Sequence, residues 1–254
     1  MYGKYFLIFI SSLFGYFIIG IFFPILWIQG IYLRKNALRL ATPIDDEFGK
    51  IEGGNEIISV LGIGESPMAG VGISKNSKTL TALASEELSK LTKSSVNWRI
   101  LAQSGLTLYE LNKFVSKKSP SNVDLIFVAI GGNDIFNLTA PWIWLKHLEI
   151  CVKYFFKNEE SPIILFSAVP CVGRFPAIPN PLRLFFGYWE LILQNSLKLF
   201  VSKKKNVYLL KERFPDGREY FLEDGIHPSM LAYNLWSKKL ASLSCLLMSN
   251  RKNL

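Results

Sequence analysis

The sequence predicts an α/β domain on a parallel sheet, preceded by a single N-terminal membrane helix. Three observations lead there. Short apolar runs alternate with helical stretches from Ile57 onward, and strands alternating with helices build a layered α/β sheet joined by right-handed crossovers. The runs are bounded by Gly, Pro or Asn, as are strands buried on both faces. Ahead of them, Tyr5 to Tyr32 holds no charged side chain, a longer stretch than the roughly 20 apolar residues that cross a bilayer.

Residues 5–32 are expected to be an uncleaved transmembrane anchor. Lys4 precedes the segment, Arg34, Lys35 and Arg39 come after it, and Tyr5, Trp27 and Tyr32 sit where interfacial aromatics belong. A cleaved signal peptide fits less well, because the apolar run exceeds an h-region of about 7–15 residues and no A-x-A-like site succeeds it. The flanking charges lean toward a cytoplasmic C-terminal domain. Residues 33–56, polar and carrying Pro43, an acidic cluster and Gly53-Gly54, read as a linker arm. Residues 57–248 form the domain. Its expected strands are Ile57–Ile63, Val96–Leu101, Leu125–Ile130, Ile163–Phe166 and Val207–Leu210. Helical spacing marks Thr79–Leu91, Leu108–Val115, Trp142–Phe156, Leu184–Phe200 and Met230–Met248, the last capped by the Ser229 hydroxyl.

Composition narrows the partners. A net charge of +9 suits a domain working beside anionic lipid. Nucleic acid is not expected, because Lys117-Lys118 and Lys203-Lys204-Lys205 read as solvated helix ends and no basic cluster is interleaved with aromatics. Three scattered cysteines, Cys151, Cys171 and Cys245, make neither a disulfide framework nor a zinc site.

In open parallel sheets, ligands bind beyond the carboxyl ends of the strands. Here the loops after the first three expected strands are Gly64-Glu65-Ser66, Ala102-Gln103-Ser104-Gly105-Leu106 and Gly131-Gly132-Asn133-Asp134. Each of the first two is an ordinary turn when taken alone. An Asn-Asp pair ending a buried strand asks more, because it needs hydrogen-bond partners that a site would supply. The chain has two histidines. His147 lies within a helical stretch as a packing or surface residue. His227 comes three residues after Asp224 within DGIHP, and a carboxylate at that reach can keep one imidazole nitrogen protonated and leave the other free to accept a proton. Together the pieces supply an acyl-transfer site. Ser66 is the candidate nucleophile, His227 its base and Asp224 the orienting partner, with the Ser66 N–H, the Gly105 N–H and the Asn133 carboxamide as oxyanion donors.

These four motifs, GIGES, AQSGLT, GGND and DGIHP, in this order, resemble those of the SGNH (GDSL-type) hydrolase superfamily of esterases and lipases. The anchor, the arm and the phrase FPAIPNPLR resemble a membrane-anchored bacterial branch of it. The resemblance covers Ile57 to the last helix. It implies a three-layer α/β/α sandwich around a five-stranded parallel sheet, flavodoxin-like in outline, with no metal or organic cofactor. It also implies an ester hydrolase working through an acyl-serine. An acyltransferase or deacylase acting on a sugar or lipid hydroxyl is the alternative, and a weakened binding protein ranks third. One position departs from the family, which usually places aspartate where this chain has Glu65. The proline-rich, apolar segment Ser167 to Tyr188 is expected to overhang the site, suggesting an acyl or lipid-like substrate, with Arg174 or Arg183 placed to meet an anionic group.

Overall fold

The structure is a computed structural model describing residues 2–118, 123–156, 161–212 and 215–252. It opens with helix α1 (Tyr2–Asn36), which is apolar enough and long enough to cross a membrane. The strands are β1 (Phe48–Ile51), β2 (Gly54–Gly64), β3 (Ser94–Ala102), β4 (Leu125–Ala129), β5 (Ile163–Ser167) and β6 (Val207–Leu210). The remaining helices are α2 (Leu80–Thr92), α3 (Leu108–Ser116), α4 (Gly132–Phe136), α5 (Pro141–Phe155), α6 (Leu182–Val201) and α7 (Met230–Lys252).

Six strands form one sheet in the order β1-β3-β2-β4-β5-β6. The five expected strands run parallel; the sixth, β1, lies in the expected linker arm and pairs antiparallel with β3 at the edge. This corrects the strand count from five to six. β1 is short and half exposed, and its Lys50 pairs with Glu52. A charged, glycine-flanked segment carries no buried-strand signal, and such features are what blunt a sheet edge against further pairing.

Alternation along the strands divides the core into two layers. Leu61, Ile63, Ile126, Val128, Ile164 and Phe166 face α1, α3, α5 and α6. Val60, Val96, Ile100, Leu125, Phe127 and Leu165 face α2 and α7. The sandwich is thus three-layered, with α1 lying along the first helical layer.

Register positions the site. Gly64 at the end of β2 pairs with Ala102 on one side and Ala129 on the other. The loops carrying Ser66, Gly105 and Asn133 therefore leave the sheet side by side. Caps fix where the neighbouring helices begin. Thr107 and Glu110 form a reciprocal capping box that starts α3, and the Ser229 hydroxyl accepts from Ala232 N at the start of α7.

Candidate active site

The three loops and the DGIHP turn border one cavity of about 520 Å³ at the carboxyl end of the sheet. Ser66, Gly105, Asn133 and His227 all line it. Asp224 sits behind His227, its side chain 1% exposed against 16% for the histidine.

The histidine turn is built from backbone bonds. Leu222 N donates to His227 O (2.8 Å) and Gly225 N to Leu222 O (3.0 Å). The Asp224 carboxylate accepts from Ile226 N and His227 N through Oδ1, both at 3.0 Å, and meets His227 Nδ1 through Oδ2 at 2.5 Å. Burial pushes the Asp224 pKa upward, but the imidazole and the two backbone donors outweigh it, and the net shift is downward. The carboxylate therefore stays ionised and fixes Nδ1. Nε2 has no hydrogen-bond partner among the described residues, nor does the Ser66 hydroxyl, so serine and histidine share the cavity without a direct bond. Such contacts often tighten only when substrate is bound.

The backbone N–H groups of Ser66 and Gly105 also lack acceptors among the described residues. Gly105 has φ +87° with open space around a built Cβ, so the backbone conformation, and not crowding, demands glycine there. α7 braces the cleft, with Tyr233 donating to Pro67 O (2.8 Å) and Trp236 Nε1 to Ser167 Oγ (3.0 Å).

Glu65, beside the expected nucleophile, has a role that spacing did not reveal. Its side chain is buried and accepts from Gly132 N (2.7 Å), Asn133 N (2.9 Å) and Asn133 Nδ2 (2.5 Å). The longer side chain clamps the GIGES loop to the GGND loop. Desolvation raises its pKa to about 7 and the Asp134 charge adds to this, against the lowering effect of the three donors. Asn133 Nδ2 also donates to Leu106 O at 3.2 Å, so both amide hydrogens are engaged. Asp134 turns inward and accepts from Leu108 N (3.0 Å), joining the GGND loop to the start of α3; its pKa is raised to about 6, mainly by burial. The available signal was a carboxylate directly after a buried strand, which must find donors.

Pro170, Phe175, Phe221 and Ile226 give the cavity apolar walls, with Arg174 and Arg218 at the lining. After β5, residues 167–171 and 174–176 line the cavity, whereas the segment expected to overhang the site as far as Tyr188 turns into α6 from Leu182; α6 holds the lining part. Val169 N donates to Gln194 Oε1 (2.7 Å) and Gly173 N to Glu190 Oε2 (3.1 Å). Arg174 is paired with Asp216 at 2.7 Å, whereas Arg183 does not line the cavity. His147, on α5, packs against the ring of Tyr109 on α3, away from the cavity. Cys151 is buried, which pushes its thiol up to about 12 and leaves it unreactive.

No protein-family model matches the sequence, and neither does any curated protein. Solved structures do match. TesA aligns with TM-score 0.58 and 17% identity over 72% of this chain and 95% of its own. Est24, a carbohydrate acetylesterase from Sinorhizobium meliloti, gives TM-score 0.55 and 17% identity over 75% and 99%. A member of the lipolytic G-D-S-L family from Veillonella parvula gives 0.53 and 14% over 73% and 97%. With its cleft at the carboxyl end of a parallel sheet, the chain has the fold of the SGNH (GDSL-type) hydrolases.

Proposed function

We propose that this protein is a serine carboxylic-ester hydrolase whose substrate carries an apolar acyl group and is presented at a membrane. The observation that carries this reading is the Asp224–His227 pair, held at 2.5 Å, with His227 lining one cavity together with Ser66. His227 Nε2 takes the Ser66 proton as Oγ attacks the ester carbonyl carbon. The oxyanion is met by the unengaged N–H groups of Ser66 and Gly105. Asn133 joins them by exchanging its longer bond, to Leu106 O, for the developing charge, while Glu65 keeps the carboxamide in place. Collapse expels the alcohol, which takes the proton from His227. Water then enters by the same base, and the second collapse releases the acid and restores Ser66. Asp224 stays ionised and stabilises the transient imidazolium.

The apolar walls favour an acyl chain, and the lipase and acetylesterase matches are compatible with ester chemistry. α1 supports a membrane setting. The test is turnover of p-nitrophenyl esters of increasing chain length. Wild-type protein is expected to hydrolyse them and folded Ser66→Ala is not; equal rates for the two would overturn the reading.

A further inference from the structure

α1 does not stand apart from the domain. Ile8, Ser12, Gly15, Ile19, Leu26 and Gln29 fall on one stripe, in steps of three, four and seven residues, and are buried or half-buried. That stripe is packed along α6. Lys203 Nζ meets Tyr5 OH at 2.6 Å, Tyr188 OH donates to Ser11 O at 2.8 Å, and Tyr16 OH donates to Leu138 O at 2.9 Å. At the far end, Gln29 donates to Asn180 O (2.6 Å) and accepts from Leu182 N (2.9 Å). Gly15 lets the helices close: a Cβ there would meet Tyr188 Cε1 at 2.9 Å, and the neighbouring Tyr16 ring lies 4.6 Å from that of Trp189.

From Tyr5 to Gln29 the docked length is about 36 Å at a rise of ~1.5 Å per residue, longer than the bilayer's hydrocarbon thickness of about 30 Å. A docked α1 that crossed the membrane would carry α5 and α6 into the hydrocarbon with it. Exposed Lys146 and Lys198 would go too, and charged side chains in hydrocarbon are costly. Undocking instead would leave Leu182 N and Leu138 O without these partners and uncover the fully buried Trp189.

The opposite face of α1 is bare. Phe6, Phe17 and Ile28 are 63%, 65% and 66% exposed. The apolar surface continues onto the domain. Leu184, Tyr188 and Leu191 share one stripe of α6 beside the seam, both leucines exposed, and the Phe9 ring lies 5.4 Å from exposed Trp142 on α5. Basic residues close both ends, Lys4 and Lys203 at one and Arg34, Lys35 and Arg39 at the other, a placement complementary to anionic headgroups.

We infer that α1 lies in the plane of an anionic bilayer without crossing it, its outer face in the acyl boundary and its inner stripe clamped to α6. An in-plane helix normally carries its own polar face; here the domain occupies that side, so the helix sequence can be apolar all round. The inference refines the membrane setting proposed above and is independent of the ester chemistry.

The test uses the full chain in sealed phosphatidylcholine–phosphatidylglycerol vesicles, with Cys171→Ser, Cys245→Ser and buried Cys151 retained. Single cysteines are placed at Gly3→Cys and Asn36→Cys, with Ser249→Cys marking the domain, and treated with a membrane-impermeant maleimide. The in-plane arrangement predicts that positions 3 and 36 label from the same side as 249, to within about twofold. Roughly tenfold protection of position 3 until detergent is added would mean a spanning helix and overturn the inference. A chain that fails to float with the vesicles would remove lipid as the occupant and the membrane setting with it, and self-association of that chain would assign the face to a second copy.

Discussion

The GIGES loop and the histidine turn each hold a buried carboxylate, and the two behave oppositely. Glu65 collects three N–H donors and yet has its pKa raised to about 7. Asp224 collects two backbone donors and one imidazole, and its pKa is lowered. Donor number does not decide between them. Asp224 faces a group that can become a cation, on a turn bordering the cleft, whereas Glu65 is sealed between loops with Asp134 as a like-charged neighbour. In the proposed mechanism, one carboxylate stabilises charge that appears during reaction and the other organises the donors that meet it.

The contrast can be broken at several points. The largest effect is expected from Asp224→Asn, which keeps the shape but cannot stabilise an imidazolium. kcat/KM on a p-nitrophenyl ester should fall by about four orders of magnitude, and a loss under tenfold would put Asp224 outside the machinery. Asn133→Ala should lower kcat by about two to three orders, as for other oxyanion donors. Since Glu65 is argued to act through Asn133, the double variant with Glu65→Gln should fall no further than Asn133→Ala alone; additive losses would separate them.

Glu65 also makes a pH prediction. Between roughly pH 4.5, its ordinary value, and about 7, the folded state keeps a proton that the unfolded state has released. The contribution of Glu65 to stability is therefore fully present below that window and declines as pH rises through it, by up to roughly 3 kcal/mol. Asp134, raised to about 6, slopes in the same direction. Denaturant unfolding at pH 5 and 7.5 should show a smaller decline in Glu65→Gln than in wild type, and identical declines would contradict the burial argument. The smallest effect is expected from Glu65→Asp, which introduces the aspartate usual at this position in the hydrolases that the motifs resemble. Its charge is kept but its reach to Asn133 is shortened, so kcat should change by about tenfold or less with KM nearly unmoved.

Much of this arrangement is legible in the sequence. Apolar runs such as LIFVAI identify buried strands because both faces of a parallel sheet are covered; GGND stands out because polar groups at a buried strand end require partners, and DGIHP because a carboxylate three residues before a histidine can hold one imidazole nitrogen. β1 is not legible, since a charged edge strand has no apolar pattern to read. The clamp of Glu65 is hidden because its donors, Gly132 and Asn133, are distant in sequence and two of the three are backbone groups. The docking of α1 is hidden for a different reason. Where a helix is apolar all round, Ser12, Gly15 and Gln29 look like tolerated interruptions, although they are the residues that meet α6 or lie beside it.

The central claim is that Ser66 is a nucleophile activated by His227. Fluorophosphonate labelling of the full chain, with peptide mapping of the product, tests it most directly. The account predicts stoichiometric modification at Ser66, much slower modification in His227→Ala and none in Ser66→Ala. Ester hydrolysis by a protein that never labels at Ser66, or that labels at another residue, would contradict it.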